Sequence, residues 1–381
     1  MTTHRLLDYC RVRERRLLDL IESLVAIESP TDDKGAVDAC GRALERVLTD
    51  AGGQVTRLAD PQAGDHLLAR FGGGARQVLL VGHFDTVWPI GQIQRMPLRR
   101  ADGRLYGPGV LDMKAGIALG LLATEAVLAE APPAEVAVAM LWTTDEETGS
   151  ATSRAIIEAE ALKSEAVLVL EPALAGGALK TSRKGIGQYE VVAHGVSAHA
   201  GVDPTKGVNA IRELAAQVLA LDALRDLDRG VSVNVGVISG GTRSNVVPDR
   251  ASALVDVRVA TLADADRLDQ AMRALTATTT GARLEIGGGF NRPPMERSAG
   301  VARLFGVARE VAAELGIDLR EGGTGGGSDG NFTAALGIPT LDGLGAIGDG
   351  AHALHEHVEL DALVPRAALL AGLLHRLTRA A

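Results

Sequence analysis

The chain has 381 residues, which is more than one hydrophobic core usually serves, so two domains are expected. Its formal net charge of −9 and the lack of any long basic run argue against nucleic acid as a partner. Neither a membrane-length apolar run nor an apolar signal segment near the first residue is visible, so no membrane association is predicted and a cytoplasmic protein is the default expectation.

The two cysteines, Cys10 and Cys40, both fall in segments with helical periodicity. Neither has a second cysteine at the spacing of a metal-binding or redox motif. They are therefore predicted to be buried free thiols, and no disulfide scaffold is expected.

The first part of the chain alternates between helical and apolar extended patterns. Helical periodicity covers 5–27, 34–50, 114–130 and 152–161. Short apolar strands are predicted at 66–71, 77–82, 136–144 and 166–172. Strands that are almost wholly apolar and alternate with helices predict an α/β domain whose sheet is covered on both faces.

The pattern changes after about residue 184. The order of predicted elements is then strand 187–195, helix 207–224, strands 231–241 and 251–259, helix 265–279 and strand 283–288. This βαββαβ order is that of a ferredoxin-like unit. The α/β character returns with a helix at 301–316 and a last helix ending near 377. The sequence thus predicts a discontinuous α/β domain, 1–184 and 293–381, with an insert at 185–292.

Titratable residues follow several of the predicted strands. Ligands in open α/β sheets bind beyond the carboxyl ends of strands, so these residues are expected to share one site. They are His83, Asp85, Asp112, Glu146, Glu147 and Glu171, joined by His352 ahead of the last helix. Histidines mixed with carboxylates favour zinc or another transition metal over magnesium or calcium. Each residue alone is more typical of a surface histidine or a solvated acidic loop; the combination indicates a dinuclear metal site.

Several motifs occur in an ordered set: HFDTV, LYGPGVLDMKAG, TTDEETGS, HGVSAHAGVDP, GGTRSNVVPD, and GGGSDG followed by GAHALHE. Together they resemble the di-zinc metallopeptidase family of glutamate carboxypeptidases (carboxypeptidase G type), aminoacylases and related deacylases. The resemblance implies a zinc-peptidase-like catalytic domain with a mixed, mostly parallel sheet covered by helices. It also implies that the ferredoxin-like insert is a dimerisation or lid domain.

The resemblance implies five metal ligands. His83 and Glu171 would bind one zinc ion, Glu147 and His352 the other, and Asp112 would bridge both. In the family the bridging aspartate precedes a cis peptide bond. Two zinc ions per subunit are therefore expected, with cobalt or manganese as possible substitutes.

His355 and His357 lie close enough to His352 to be rivals for the last ligand position. The family pattern HxxxE places the ligand four residues before a glutamate. The spacing to Glu356 therefore favours His352.

Three further residues would take part in catalysis. Asp85 would orient the imidazole of His83. Glu146 would be the general base that takes a proton from a metal-activated water and gives it to the leaving amine, although a second ligand role stays open. By resemblance, His199 would reach into the neighbouring subunit and stabilise the oxyanion, its alternative being a hydrogen-bonded turn histidine. The helix at 207–224 and an edge strand of the insert would form the dimer contact.

Substrate binding calls for an arginine, because its planar fork can hold both oxygens of a free carboxylate. By resemblance, Arg258 would bind the α-carboxylate and Asn245 would add a polar contact. Arg292 resembles a position that recognises acidic side chains, and a solvated arginine is its alternative. Gly326 and Ser328 belong to the Gly-rich loop 322–331, which would line the substrate unless it is a plain turn.

These features predict a homodimeric zinc-dependent exopeptidase or amidohydrolase. It would cleave an amide bond next to a free C-terminal amino-acid carboxylate, in the manner of a glutamate carboxypeptidase, on a small-molecule or peptide substrate. An aminoacylase or N-acyl-amino-acid deacylase shares every catalytic residue and is the alternative. A catalytically inactive metal-binding homologue would keep the ligands without turnover. A purely structural dimerisation protein would leave the carboxylates at the strand ends unexplained.

Overall fold

The computed structural model describes residues 2–130 and 135–379. The chain divides into two compact units. The first unit comprises the described residues up to Ser182, Arg297–Gly323 and those from Ser328 onward; the second comprises Arg183–Glu296 and Thr324–Gly327.

The helices are α1 Thr2–Val12, α2 Glu14–Val25, α3 Lys34–Asp50, α4 Gln92–Arg95, α5 Ala115–Glu130, α6 Arg154–Ala161, α7 Ala210–Asp222, α8 Leu262–Arg273, α9 Ala299–Glu314, α10 Gly330–Ala335 and α11 Leu360–Leu377. The strands are β1 Gln54–Leu58, β2 His66–Phe71, β3 Arg76–His83, β4 Arg99–Ala101, β5 Arg104–Tyr106, β6 Val136–Thr143, β7 Ser164–Val169, β8 Leu179–Arg183, β9 Gly185–His194, β10 Ala198–His199, β11 Ser232–Gly240, β12 Val246–Val247, β13 Arg250–Val259, β14 Arg283–Arg292, β15 Glu321–Thr324, β16 Thr340–Leu341, β17 Gly348–Asp349 and β18 His357–Glu359.

The main sheet of the first unit has the strand order β1-β2-β6-β3-β7-β16. The pairs β3–β6, β3–β7 and β7–β16 are parallel, while β1 and β2 join in antiparallel fashion. The predicted mixed, mostly parallel sheet is confirmed. Because β3, β6 and β7 run side by side in one direction, their carboxyl ends lie at the same edge.

The strand β3 shows why the apolar run in the sequence is continuous. Val78 and Leu80 belong to the larger core, whereas Leu79 and Val81 belong to a second core on the opposite face. Successive side chains of a strand alternate between faces, so a strand covered on both sides needs apolar residues throughout. Burying each such side chain contributes roughly 1.5–3 kcal/mol.

The helix α5 packs closely on this sheet and is buried on nearly all sides. A side chain at Gly116 would collide with the backbone carbonyl of Leu170, and one at Gly120 would meet the Leu170 side chain. Small residues here permit the close approach. The loop before α5, which carries Asp112, therefore begins from a fixed position.

The second unit is built around a sheet in the order β11-β13-β9-β14. Its pairs are all antiparallel, and α7 and α8 complete the βαββαβ sequence that the pattern predicts. Alternate residues of β13, including Val255, Val257 and Val259, are buried in one core. The first and last strands of the unit are neighbours, with Ile186 opposite Arg292.

The predicted helix over 5–27 is wrong in one respect: it is two helices, α1 and α2, separated at Arg13. The backbone of Arg13 leaves the helical conformation, with φ −108° and ψ 13°, and its guanidinium lies 3.6 Å from the centre of the Tyr9 ring. Both cysteines are buried free thiols, as predicted. In the described part of the chain, none of the helices has the length and apolarity to cross a membrane.

Candidate metal centre

Three neighbouring strand ends and two loops bring the predicted ligands together in the first unit. His83 is the last residue of β3, Glu147 lies in the turn after β6, and Glu171 follows β7 by two residues. Asp112 comes from the loop before α5, and its peptide bond to Met113 is cis, as the resemblance predicts.

The carboxylate of Asp112 faces a different histidine with each oxygen. Its Oδ1 lies 3.3 Å from His83 Nε2, and its Oδ2 lies 3.3 Å from His352 Nε2. The same nitrogen of His83 is 3.4 Å from Glu171 Oε1, and that of His352 is 3.2 Å from Glu147 Oε2. Two half-sites, each with one histidine and one glutamate, thus share a single aspartate.

The chemistry of these groups fits metal ions. Potential ligand atoms of His83, Asp112 and Glu147 all lie within 4.8 Å of one another, as do those of His83, Glu146 and Glu171. Within the described residues, the buried atoms His83 Nε2, Asp112 Oδ1 and Glu147 Oε1 have no hydrogen-bond partner. Buried polar atoms are rarely left unpaired, so their convergence indicates a place for cations. Imidazole nitrogens with carboxylate oxygens suit zinc, cobalt or manganese.

Electrostatics in the cluster also favour positive charge. Hydrogen bonds with Asp112 and Glu147 raise the pKa of His352 to about 10. Burial disfavours a charged His83, but contacts with Asp112, Asp85 and Glu171 raise its pKa well above the usual range. Burial raises the pKa of Glu147. The negative charge of the carboxylates attracts cations to the pocket. A bound metal ion can neutralise that charge in place of protons.

The orientation of His83 depends on Asp85 in two ways. His83 Nδ1 lies 3.0 Å from the backbone carbonyl of Asp85 and 3.3 Å from its Oδ1. The sequence predicts the carboxylate as the partner of this nitrogen, whereas the nearest acceptor is the carbonyl. If a metal ion replaces the proton on this ring, a donor nitrogen at Nδ1 would leave the lone pair of Nε2, which faces Asp112 and Glu171, to bind that ion.

The loop before α11 distinguishes the three candidate histidines. Only the side chain of His352 reaches Asp112 and Glu147 among them, and its backbone has φ 61°. His355 lies 3.7 Å from Asp349 at the surface. His357 Nδ1 lies 2.8 Å from the backbone carbonyl of His355, and its ring packs 5.2 Å from that of Tyr106. The geometry agrees with the preference for His352.

Glu146 is half-buried and lies at the start of a short turn, Glu146–Thr148. The preceding residue, Asp145, anchors this turn: its Oδ2 accepts hydrogen bonds from Thr152 N at 2.7 Å and Thr152 Oγ1 at 2.8 Å. Sequence reasoning missed Asp145, because nothing in a run of three acidic residues shows which side chain accepts hydrogen bonds from the residues that follow the turn. The serine and threonine side chains shortly after it were the available signal.

In the second unit, His199 is exposed and pairs through its strand with Val246. Its Nδ1 accepts hydrogen bonds from the backbone N–H groups of Gly201 and Val202, both at 3.1 Å. A neutral imidazole therefore carries its proton on Nε2, where it can donate. Asn245 is next to this segment, since its carbonyl accepts from Ala200 N at 3.0 Å.

The predicted carboxylate-binding arginine, Arg258, is already paired. Its Nε and Nη2 donate to the two carboxylate oxygens of Asp256, both at 2.9 Å, and its Nη1 lies 3.4 Å from the carbonyl of Gly325. Such a two-point contact fixes the plane of the guanidinium. The pairing with Asp256 was not anticipated, although the spacing of two on one strand places both side chains on one face.

The remaining predicted substrate residues belong to the Gly-rich loop or its surroundings. Arg292 is buried, and a side chain at Gly327 would lie only 2.7 Å from its Cδ. The carbonyl of Gly326 accepts from Arg183 Nη1 at 3.2 Å, a contact that the sequence did not indicate. In the first unit, Ser328 is buried and its hydroxyl donates to Asp342 Oδ2 at 2.6 Å.

Comparison with known proteins extends over nearly the whole chain. Carboxypeptidase G2 from Pseudomonas sp. (strain RS-16) is 32% identical over 370 residues, which cover 94% of this chain and 88% of that protein. A succinyl-diaminopimelate desuccinylase from Bordetella parapertussis is 30% identical over 370 residues, covering 92% of this chain and 94% of the relative. The solved structure of aminopeptidase PepT from Bacillus cereus has the same fold, with a TM-score of 0.80, 23% identity and coverage of 96% and 99%.

The model of one protein family matches residues 79–376, a range that contains each of the five predicted ligands and most of both units. Its members are metallopeptidases and related amidohydrolases, in agreement with the enzyme class that the sequence predicts. The chain therefore belongs to peptidase family M20/M25/M40.

Proposed function

We propose that this hydrolase is a dinuclear zinc exopeptidase or amidohydrolase. It cleaves an amide bond next to a free C-terminal amino-acid carboxylate, as a glutamate carboxypeptidase does. The observation that carries the metal part of the proposal is the position of Asp112, whose two oxygens each lie 3.3 Å from a different histidine nitrogen. A carboxylate placed in this way can bind two ions at once.

In this proposal His83 and Glu171 would hold one ion, His352 and Glu147 would hold the other, and Asp112 would contribute to both. Two such ions would polarise the scissile carbonyl and lower the pKa of a water towards about 7. Asp85 keeps the imidazole of His83 oriented through its backbone carbonyl and carboxylate, at 3.0 and 3.3 Å from Nδ1. The protein thereby supplies both the ligands and their fixed orientation.

Glu146 is the proposed general base. Potential ligand atoms of Glu146 and Glu171 lie within 4.8 Å of each other and of His83, so the Glu146 carboxylate borders the place where water is activated. It takes a proton from the attacking water as the C–O bond forms. It then gives that proton to the amine nitrogen as the C–N bond breaks, which returns Glu146 to its ionised form.

The second unit supplies the other proposed roles. Arg258 binds the free carboxylate of the substrate, and Asn245, Arg292 and the loop with Gly326 add contacts. His199 donates from Nε2 to the developing oxyanion, a role that the acceptor state of its Nδ1 supports. Ser328 is proposed only as part of the loop backbone, since its hydroxyl has Asp342 as a partner.

We propose a homodimer that forms through α7 and the edge strand β11. Strand β11 ends the four-stranded sheet, so one side of its backbone is available for pairing. Val237 and Ile238 on this strand are 54% and 59% exposed, and Leu219 on α7 is 75% exposed. Apolar side chains exposed beside a free strand edge support a protein contact there.

A deacylase that acts on small N-acyl amino acids is the second candidate, because a desuccinylase is nearly as similar to this chain as the carboxypeptidase. A substrate screen separates the two. The protein is stripped of metal with a chelator and reconstituted with zinc, cobalt or manganese. Its hydrolysis of peptidyl-glutamates, N-acyl amino acids and an N-succinyl diamino acid is then measured.

Preference for peptidyl or aroyl glutamates supports the carboxypeptidase assignment, and preference for short acyl groups supports the deacylase. Amidated versions of the best substrate serve as the control for the free carboxylate. Equal turnover of amidated and free substrates contradicts both assignments, and no turnover with any of the metals contradicts the proposed enzyme.

A further inference from the structure

Glu356 lies on the same loop as His352 and is fully buried. A carboxylate in such a place is costly unless hydrogen bonds replace the water it has lost. The hydrogen-bond partners of Glu356 therefore indicate what its side chain does in this loop.

Both oxygens of Glu356 accept hydrogen bonds. Oε1 accepts from the backbone N–H groups of Leu111 and Asp112, at 2.9 and 3.1 Å. Oε2 accepts from the backbone N–H of Gly109 at 2.9 Å and from the indole Nε1–H of Trp88 at 2.8 Å. All four partners are donors, so both oxygens of the Glu356 side chain act as hydrogen-bond acceptors.

The partners of Glu356 belong to the segments that carry two of the other predicted ligands, His83 and Asp112. Trp88 lies in the segment that follows His83, and Gly109–Asp112 is the loop that presents the shared aspartate. The carbonyl of Glu356 also accepts from Gly107 N at 3.4 Å. One buried side chain therefore joins the loops of His83, Asp112 and His352.

This loop junction has little room for adjustment. A side chain at Gly350 would lie 2.9 Å from the backbone nitrogen of Glu356, and β18 directly after it pairs with β5, with His357 opposite Tyr106. Without the carboxylate, three backbone N–H groups beside Asp112 would lose their acceptor in a buried environment. Each such loss is costly enough to move the loop rather than leave the groups unpaired.

We propose that Glu356 is a positioning residue for the metal centre: it holds the Asp112 loop against the His352 loop so that both half-sites have their ligands in place. This inference rests on the proposed dinuclear centre. Glu356 does not contact the metal or the substrate in this role. It acts through the backbone of Asp112 and through the segment it shares with His352.

The test is a titration of the metal-free full-length protein with Co²⁺ alone, followed by calorimetry and by the visible absorption of bound cobalt. In Glu356→Gln, one acceptor oxygen is replaced by an amide donor that faces donors. We expect Co²⁺ affinity to fall about 10–100-fold, the range for residues that orient metal ligands. Glu359→Gln is the matched control, since it removes the same charge from an exposed position three residues away and should bind Co²⁺ as the wild type does.

A second variant covers the case in which Glu356→Gln does not fold. Trp88→Phe removes one of the four donors and keeps the carboxylate, so a weakening of Co²⁺ binding of about two- to tenfold is expected. The thermal midpoints of the metal-free proteins are measured alongside.

The outcomes separate the two proposals. A wild type that binds no Co²⁺ contradicts the dinuclear centre itself. If the wild type binds two Co²⁺ ions and both Glu356→Gln and Trp88→Phe bind them with the same affinity, the proposed role of Glu356 is wrong. Lower metal-free stability with unchanged affinity also overturns it, because Glu356 would then support the fold alone.

Discussion

Asp85 accepts a hydrogen bond on Oδ2 from the backbone N–H of Glu147, at 3.3 Å. Its other oxygen lies 3.3 Å from His83 Nδ1. The carboxylate thus connects the ends of β3 and β6, which carry ligands of different half-sites. A residue predicted only to aim one histidine is therefore in contact with both halves of the site.

Replacing Asp85 with Ala should weaken the binding of both metal ions, by about 10–100-fold, because both His83 and the Glu147 turn lose an anchor. Metal content after dialysis against a graded chelator measures this. Thr31→Val is the control: it removes the hydroxyl that donates to Asp85 Oδ2 at 2.8 Å but leaves the carboxylate. Loss of one ion only, with the other unaffected, would contradict the shared role.

Glu146→Gln should retain both metal ions and lose turnover by about 10²–10⁴-fold, because an amide cannot accept the proton from water. Metal analysis and kcat are measured on the same preparation. Glu165→Gln, an exposed glutamate of the same unit, should have wild-type activity. If Glu146→Gln instead loses an ion, Glu146 is a ligand rather than the base.

His199→Ala should reduce kcat with both ions still bound and with KM little changed, since an oxyanion donor acts mainly in the transition state. Loss of one such donor typically costs about 10²–10³-fold in kcat. His194→Ala, in the same unit, should leave kcat unchanged because its Nε2 contacts Glu285 at 3.1 Å instead. Full activity of His199→Ala would remove the proposed oxyanion role.

Arg258→Ala should raise KM for substrates with a free carboxylate by about tenfold or more, because a charged hydrogen bond contributes roughly 1.5–3 kcal/mol. Amidated substrates should be affected much less. The matched control is Arg250→Ala on the same strand, whose guanidinium is exposed and 3.9 Å from Glu190. Parallel losses on free and amidated substrates would contradict carboxylate binding.

The second unit should lose stability in acid because of Glu213, which is fully buried. Burial alone would raise its pKa, but hydrogen bonds from Thr279, Thr278 and Gln217 lower the pKa to about 2, from 4.5 in the unfolded chain. A lowered pKa stabilises the folded form above pH 4.5, and this contribution, about 3 kcal/mol, is lost as the pH falls towards 2.

Calorimetric unfolding between pH 6 and pH 2.5 tests this pH dependence. Glu213→Gln should have a lower unfolding temperature than the wild type near neutral pH, and the difference should shrink in acid. A difference that is constant across this range would show that the ionisation of Glu213 does not contribute.

The strands that carry the site could be predicted because β3, β6 and β7 are buried on both faces and so appear as continuous apolar runs. The titratable residues at their ends indicated a metal site, and the ordered motifs added the assignment of each ligand. The short strands such as β16, with two residues, were not predicted, since so short a segment has no periodicity.

Long-range contacts were the part that the sequence could not reveal. Glu356 meets Trp88 and Asp112 across 268 and 244 residues, and no local pattern encodes such a partner. Sequence spacing identified Glu356 only as a marker for His352, whereas its four donors explain why a glutamate stands there.

The pairing of Ile186 with Arg292 has a consequence for how the first unit folds. Its first segment ends at Ser182 and its next begins at Arg297. Closing a flexible loop of roughly 115 residues costs about 4 kcal/mol or more in chain entropy. Once β9 and β14 have paired, the second unit closes that loop by itself. For the first unit, the insertion then acts as a short connection between its segments. Early folding of the second unit would therefore speed the approach of the loop with His352 and Glu356 to the four predicted ligands that precede the insertion in the chain.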